Sequence, residues 1–465
     1  MNRTVARILM TVFCFLACVL TYASQSVAAE KPDIVFIMSD DQGAYDVSWR
    51  DPEIKTPNLD KLALAGARLE QFYVLPVCSP TRAALMSGRY PMRYGLQVAV
   101  IRPWANYGLP LEERMLPDAL REAGYTTAIC GKWHLGSFDK AYWPNARGFD
   151  HAYGHLLGAI DYFDHTRDGQ KDWYRNGESL HEEGYATDLI ANEAVRVIRN
   201  QPKDKPIFLY VPFNAVHTPM QVPEKYMEPY AHLQGQRRIN AGMVAAMDEA
   251  IGKIVAAVDE RGRRKNTLFI FSSDNGGHAP GKVTNNGPFR AGKHTLYEGG
   301  VRVVAFATWE KRIKPGTVIK EPLHMVDWYP TLLNIAGTSL KQKLPLDGLD
   351  ILPCLTQGKP SPHKEILLNT SPSSGAIRVG DWKLVLNGDS PDKPDDSDGP
   401  VQNEKRKGKA KRVASTDMKV ELFNLAEDPY EKKNLASEKP EKLKELRRHY
   451  DALARQAVTP LNLTP

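Results

Sequence analysis

This 465-residue sequence predicts an α/β protein, with a large mixed, mostly parallel sheet between helices and a small antiparallel sheet with a helix at its C-terminal end. Three observations predict it. Four continuous apolar runs each open into a polar loop, helix-period stretches alternate with those runs, and after residue 360 the runs become short and closely spaced.

In chain order, Arg3 and Arg7 precede an apolar stretch from Ile8 to Leu20, which ends in Val27-Ala28-Ala29. That is the layout of a secretory signal peptide over residues 1–29. An uncleaved anchor is the alternative, but the run is shorter than the ~20 residues a spanning helix needs. The chain is therefore expected to be exported, periplasmic or secreted (lysosomal in a eukaryote), with no stable membrane insertion once the signal is removed.

Asp33 to Met38 (DIVFIM) reads as a strand buried on both faces, opening into Ser39-Asp40-Asp41-Gln42-Gly43. The same pattern recurs at Thr126 to Cys130 before Gly131-Lys132-Trp133-His134, at Ile207 to Pro212 before Asn214-Ala215-Val216-His217, and at Leu268 to Phe271 before Ser272-Ser273-Asp274-Asn275. Ligand sites of open α/β sheets lie at such strand ends. Apolar residues at helical spacing predict helices over Asn58 to Ala67, Met115 to Ala123, Ala186 to Asn200 and Ala241 to Arg261. Residues 142–183, rich in aromatics, His and Gly without clear period, read as long loops.

Short strands follow at Glu365 to Leu368, Ala376 to Val379, Trp382 to Asn387 and Glu421 to Asn424, with a hairpin turn at Gly380-Asp381 and a closing helix from Pro440 to Gln456. The expected organisation is a catalytic domain over 30–360 and a small α+β subdomain over 361–465. Residues 389–412, acidic and then basic, read as a disordered insertion, with contact to an anionic polymer as the alternative.

Composition excludes several classes. With 25% charged and 42% hydrophobic residues, 34 Gly and 33 Pro, the chain is neither disordered nor collagen-like. The net charge of +6 is concentrated in one short segment, so no nucleic-acid face is expected. Of five cysteines, Cys14 and Cys18 leave with the signal, and three remain, which cannot all pair. Cys130 and Cys354 are either buried thiols or a disulfide.

Asp40-Asp41 and Asp274-Asn275 are oxygen-only donor sets at two strand ends, suited to Ca²⁺ or Mg²⁺ rather than Zn²⁺. Either pair alone could cap a following helix; both together point to a cation. Lys132, His134, His217 and Lys293 add positive charge and proton donors. A divalent metal beside Lys and His is a means of receiving an anionic ester group.

Cys78-Ser79-Pro80-Thr81-Arg82, followed by Ala83-Ala84-Leu85-Met86-Ser87-Gly88-Arg89, resembles the signature of the type I sulfatases, whose cysteine is oxidised to formylglycine (3-oxoalanine). Gly124-Tyr125-Thr126-Thr127 with Gly131-Lys132-Trp133-His134-Leu135-Gly136 resembles the second signature. The similarity extends to SDDQG at 39–43, NAVHTP at 214–219, SSDNGG at 272–277, GPFRAGKHTLYEGGVR at 287–302, and the tail ELFNL at 421–425. Within that family, NAVHTPMQVP and KHTLYEGGVR look most like arylsulfatase B, an N-acetylgalactosamine-4-sulfatase.

The resemblance implies an alkaline-phosphatase-like fold and hydrolysis of a sulfate ester on a sulfated sugar. It makes Cys78 the formylglycine nucleophile and a metal ligand, with Asp40, Asp41, Asp274 and Asn275 completing a calcium site. Arg82 would neutralise and position the formylglycine, and His134 would act on its hydroxyl. Lys132, His217 and Lys293 would hold the sulfate, with either His217 or Lys293 protonating the leaving oxygen. No catalytic role is expected for Ser79, Thr81 or His278. A formylglycine-generating enzyme is the implied maturation partner. The aldehyde has a chemical purpose: its hydrate carries a second hydroxyl, whose deprotonation expels sulfate and restores the carbonyl. A related phosphoesterase, and an idle sulfoglycan-binding protein with unconverted Cys78, are the alternatives; the intact C-x-P-x-R segment argues against the second.

Overall fold

Four strands buried on both faces form the middle of the molecule, as their unbroken apolar sequences require. The computed structural model describes residues 30–278, 283–389 and 418–463. The expected signal at 1–29 and the charged stretch from 390 to 412 lie outside the described residues. Residues 32–465 make one compact unit.

In chain order the main-sheet elements are β1 (Asp33–Ser39), α1 (Pro57–Leu64), β2 (Ala67–Tyr73), α2 (Cys78–Ser87), α3 (Leu116–Glu122), β3 (Thr126–Lys132) and β4 (His151–His155). The small hairpin strands β5 (Thr166–Arg167), β6 (Gln170–Lys171), β7 (Tyr174–Arg175) and β8 (Glu178–Ser179) precede α4 (Ala186–Asn200), β9 (Ile207–Pro212), α5 (Gly235–Glu260) and β10 (Thr267–Ser273). Then come α6 (Glu298–Val301), β11 (Arg302–Val303), β12 (Ala305–Thr308), β13 (Thr317–His324), α7 (Trp328–Ile335) and α8 (Leu352–Gln357).

The eleven-stranded sheet runs β11-β2-β12-β10-β1-β9-β3-β4-β7-β8, with β13 also on β2. Strands β10, β1, β9, β3 and β4 are mutually parallel, so their C-terminal ends open on one edge. Antiparallel strands flank them. Two apolar layers cover the faces. One side carries Ile34, Phe36, Met38 and Tyr210 with Met86, Leu116 and Trp328; the other carries Val35, Ile37, Leu209 and Val211 with Ile190, Met247 and Ile251.

The C-terminal sheet β14 (Glu365–Thr370), β15 (Gly375–Val379), β16 (Trp382–Leu386) and β17 (Val420–Asn424) is antiparallel throughout, and α9 (Pro440–Ala454) packs on it through Leu446 and Tyr450. A buried ionic cluster joins it to the main body. Lys383 of β16 donates to Glu298 at 2.9 Å and pairs with Glu431 at 2.8 Å; the Glu298 amide donates to Glu431 at 2.7 Å and the Tyr73 hydroxyl to Glu298 at 2.9 Å.

Two sequence expectations are corrected. The first helix ends at Leu64, since Ala67 begins β2, and residues 142–183 contain β4, a full member of the main sheet, with four short hairpin strands beyond. Cys130 and Cys354 are buried free thiols rather than a disulfide.

Candidate active site

The site lies where the five parallel strands end. Asp40 and Asp41 follow β1, Lys132 closes β3, Asp274 and Asn275 follow β10, and His217 comes from the loop after β9. Cys78 is the first residue of α2, whose N-terminal amides place positive dipole charge beside it. One ligand atom each of Asp40, Asp41, Cys78 and His217 lie within 4.8 Å of one another.

Two residues turn into the site through left-handed backbone, Asp41 at φ 61° and His134 at φ 58°. Non-glycine residues rarely adopt this conformation, and it clusters at functional sites. Lys293 sits between two more, Ala291 at 60° and His294 at 72°. Gly276 has a different reason to be glycine: a Cβ there would meet the carbonyl of Gly299, so only glycine lets the Asn275 loop rest on the start of α6.

Charge pairing is dense and almost wholly buried. Arg82 donates from Nε to Asp274 at 3.0 Å, from one terminal nitrogen to the same carboxylate at 2.7 Å, and from the other to the Lys132 carbonyl at 3.1 Å. Lys132 donates to Asp40 at 2.5 Å and Lys293 to Asp41 at 2.8 Å. The Asn275 amide donates to Asp41 at 2.7 Å, and the Cys78 thiol lies 3.6 Å from Asp40. His217 Nε2 is 3.7 Å from Asp41, so the structure groups it with the carboxylates as well as with the lysines.

These contacts set the ionisation. Burial alone would raise Asp41, but Lys293 and His217 hold its carboxyl well below the usual range. Asp274 is pushed up to about 6, because burial and the carboxylate of Asp40 outweigh Arg82 and Lys132. Burial pushes the Cys78 thiol well up, against the pull of Lys132 and Lys293. His134 is driven well below its ordinary value by burial, then by Lys132 and Arg82, and so is neutral at pH 7. Its Nε2 pairs with the Ile101 carbonyl at 3.0 Å, and its Nδ1 is buried with no partner among the described residues. Gly158 backs this ring; a Cβ there would stand 2.5 Å from Cε1.

A hard cation fits the donors. Three carboxylates and an amide converge, and Asn275 Oδ1 is buried with no partner among the described residues, as a donor meant for a cation would be. Asp40, Asp41 and Asp274 are matched one for one by Lys132, Lys293 and Arg82, so an added divalent charge would leave the site positive and receptive to an anion.

The structure thus brings Asp40, Asp41, Cys78, Arg82, Lys132, His217, Asp274, Asn275 and Lys293 into one contact network, with His134 at its border. Three supporting features escaped the sequence reading: the Ile101 carbonyl, Gly158, and Tyr162, whose hydroxyl lies 2.6 Å from the Asn214 carbonyl and 2.9 Å from that of His217. Each acts through backbone at long sequence separation, which leaves no local signal.

Comparison with known proteins agrees with this geometry. The sulfatase family pattern matches residues 32–338. Arylsulfatase J of Mus musculus is 36% identical over 467 aligned residues, covering 93% of this chain and 77% of its own. N-acetylgalactosamine-6-sulfatase of Rattus norvegicus is 34% identical, covering 71% and 67%. The crystal structure of Ps i-CgsB in complex with k-i-k-neocarrahexaose superposes with a TM-score of 0.80 at 31% identity, over 93% of this chain and 94% of that one. With the strand-end carboxylates, the buried cysteine at a helix N-terminus and the flanking lysines all in one alkaline-phosphatase-like sheet, the chain belongs to the sulfatase family.

Proposed function

We propose that this protein hydrolyses the sulfate ester of a sulfated carbohydrate, and the observation that carries the reading is the buried Asp40–Asp41–Cys78–His217 cluster ringed by Lys132 and Lys293. Arylsulfatase J and N-acetylgalactosamine-6-sulfatase are named for this reaction, and Ps i-CgsB was crystallised with k-i-k-neocarrahexaose. These support the substrate class.

Asp40, Asp41, Asp274 and Asn275 would hold calcium, which when bound supplies Lewis-acid polarisation of a sulfate oxygen. Cys78, converted to formylglycine by a formylglycine-generating enzyme that reads Cys78-Ser79-Pro80-Thr81-Arg82, would supply the nucleophilic oxygen. Arg82 holds Asp274 and the end of β3 in register with Cys78. Lys132 and Lys293 turn from their carboxylates to the sulfate oxygens. Neutral His134, with Nδ1 open, accepts a proton. His217 or Lys293 donates one to the departing sugar oxygen, a poor leaving group without it.

The signal-like segment at 1–29 supports export, and among the described residues no helix is long and apolar enough to cross a membrane. We place the domain division near residue 360, between the two sheets.

The test is sulfate release from 4-nitrophenyl sulfate and from sulfated galactan and galactosaminoglycan oligosaccharides, with protein co-expressed with a formylglycine-generating enzyme. Calcium-dependent release is expected. A chain carrying the aldehyde at Cys78 that releases none overturns the reading.

A further inference from the structure

The most exposed large apolar side chain among the described residues lies three residues after Ile101, whose carbonyl pairs with His134. Trp104 is 70% exposed. The segment leading to it is tied directly to the reactive centre: Val100 packs with Val77 and Cys78, the Ile101 amide donates to Ser79 Oγ at 3.0 Å, and the Ile101 carbonyl is the partner of His134 Nε2. A turn follows, closed by the Ala105 amide on the Arg102 carbonyl at 3.0 Å. Three residue steps separate Trp104 from Ile101, a reach of at most about 11 Å between their Cα atoms. The Arg102 guanidinium lies 5.9 Å from the centre of the indole.

A second exposed aromatic pair lies on the stretch that follows His134. The Leu109 amide donates to the Leu135 carbonyl at 2.9 Å, joining this loop to the stretch that follows His134. Along that stretch Phe138 is 48% exposed and its ring centre lies 4.8 Å from that of Tyr142. The Tyr142 carbonyl in turn accepts from the buried indole of Trp133 at 2.9 Å. Both segments are thus anchored on residues adjoining His134, while their apolar faces meet water. Exposed aromatic faces on two segments tied to His134 and to the stretch after it can be covered by a ligand larger than the reacting group.

The chemistry selects the ligand. An indole offers a flat apolar face with a polar edge, which matches the C–H face of a pyranose ring. A guanidinium beside it offers a planar fork for the oxyanion of a sulfate. We propose that Trp104 and Arg102, on the loop that presents the Ile101 carbonyl to His134, form a subsite for the sulfated sugar ring flanking the one whose ester is cleaved. The inference rests on the sulfated-carbohydrate reading above and deepens it from a single reacting ester to an oligomeric substrate carrying a second sulfate.

Two readouts test it separately. Binding of hexasaccharides from ι-carrageenan, chondroitin 4-sulfate and chondroitin 6-sulfate, and of their desulfated forms, is measured by calorimetry on full-length Cys78→Ala protein with and without Trp104→Ala or Arg102→Met. Turnover of 4-nitrophenyl sulfate, too small to reach the rim, is measured on the same rim variants with Cys78 intact. The expected result is that at least one sulfated hexasaccharide binds, that Trp104→Ala weakens it about tenfold, and that Arg102→Met weakens the sulfated form but not the desulfated one. Small-substrate turnover is expected to stay within about twofold of the unaltered protein. The subsite is overturned if no hexasaccharide binds, if the best one binds the Trp104→Ala protein equally well, or if small-substrate turnover falls in parallel with binding. Failure of the unaltered protein to hydrolyse any sulfate ester, with rim-dependent binding retained, would overturn the reaction and leave the subsite standing.

Discussion

Arg82 is the side chain on which the reactive centre is assembled. It is fully buried, pairs with the fully buried Asp274, and reaches the Lys132 carbonyl, so one guanidinium ties α2 to the ends of β10 and β3. Breaking a buried pair leaves an uncompensated charge, at a cost of about 3–5 kcal/mol. Arg82→Met is therefore expected to lose about that much in urea denaturation, and a loss below about 1 kcal/mol would show that Asp274 finds another partner. Cys78 is different, because among the described residues its thiol makes one polar contact, the 3.6 Å approach to Asp40, beside the small apolar contact with Val77 and Val100. Cys78→Ala is expected to lower sulfate release about 10⁴-fold or more while leaving the thermal midpoint nearly unchanged, as checked by initial rates and calorimetry.

The elements around the site differ in how plainly their sequences declare them. Strands β1, β3, β9 and β10 are buried on both faces, so DIVFIM, TTAIC, IFLYVP and LFIF read as continuous apolar runs whose ends carry the polar residues. Strand β2 hides because Arg68, Glu70 and Gln71 are only half buried, and α1 runs into it with two residues between. Helix α5 starts at Gly235, six residues before the apolar period becomes visible, because its first turn is Gly-Gln-Arg-Arg. Strand β4 was concealed in an aromatic stretch, and its role is positional. The segment after it, Leu156 and Leu157, donates two amides to the buried carboxylate of Asp172 at 3.0 and 2.8 Å, and the next residue is the Gly158 that backs His134. Burial raises Asp172 to about 6. A carboxyl whose folded value lies above its unfolded one binds more protons when folded, so this group's contribution to stability falls as pH rises from about 4 to about 6. Asp172→Asn removes that dependence. Its stability deficit against the unaltered protein is expected to narrow across that window in denaturant titrations, and a constant deficit would reject the assignment.

Across the whole molecule, two charge assemblies hold distant parts together, the first announced by polar strand ends and the second without a local sequence signature. Arg82 bridges the strand-end carboxylates of residues 40 and 274, and the Lys383 cluster joins residues 73, 298, 383 and 431. Lys383→Met leaves Glu298 and Glu431 facing each other in the interior, and a loss of about 3–5 kcal/mol is expected in urea denaturation. Because Gly276 rests on Gly300 of α6 through a 2.9 Å hydrogen bond, calcium affinity is expected to weaken in the same variant. Chelation tests the other assembly. A ligand at 100 times its dissociation constant stabilises the state that binds it by about 2.7 kcal/mol, so a chelator is expected to lower the thermal midpoint and added calcium to restore it. An unchanged midpoint would remove the cation from Asp40, Asp41, Asp274 and Asn275. Finally, Cys78, Ser79, Pro80, Thr81 and Arg82 are all fully buried at the start of α2. A catalyst that must grip this pentapeptide to alter its first residue finds nothing to hold once the sheet has closed over it. On the conversion of Cys78 proposed above, maturation and folding are ordered in time: the oxidation would belong to the nascent or exporting chain, and a molecule that folded first would be shut out of activity for as long as it stayed folded.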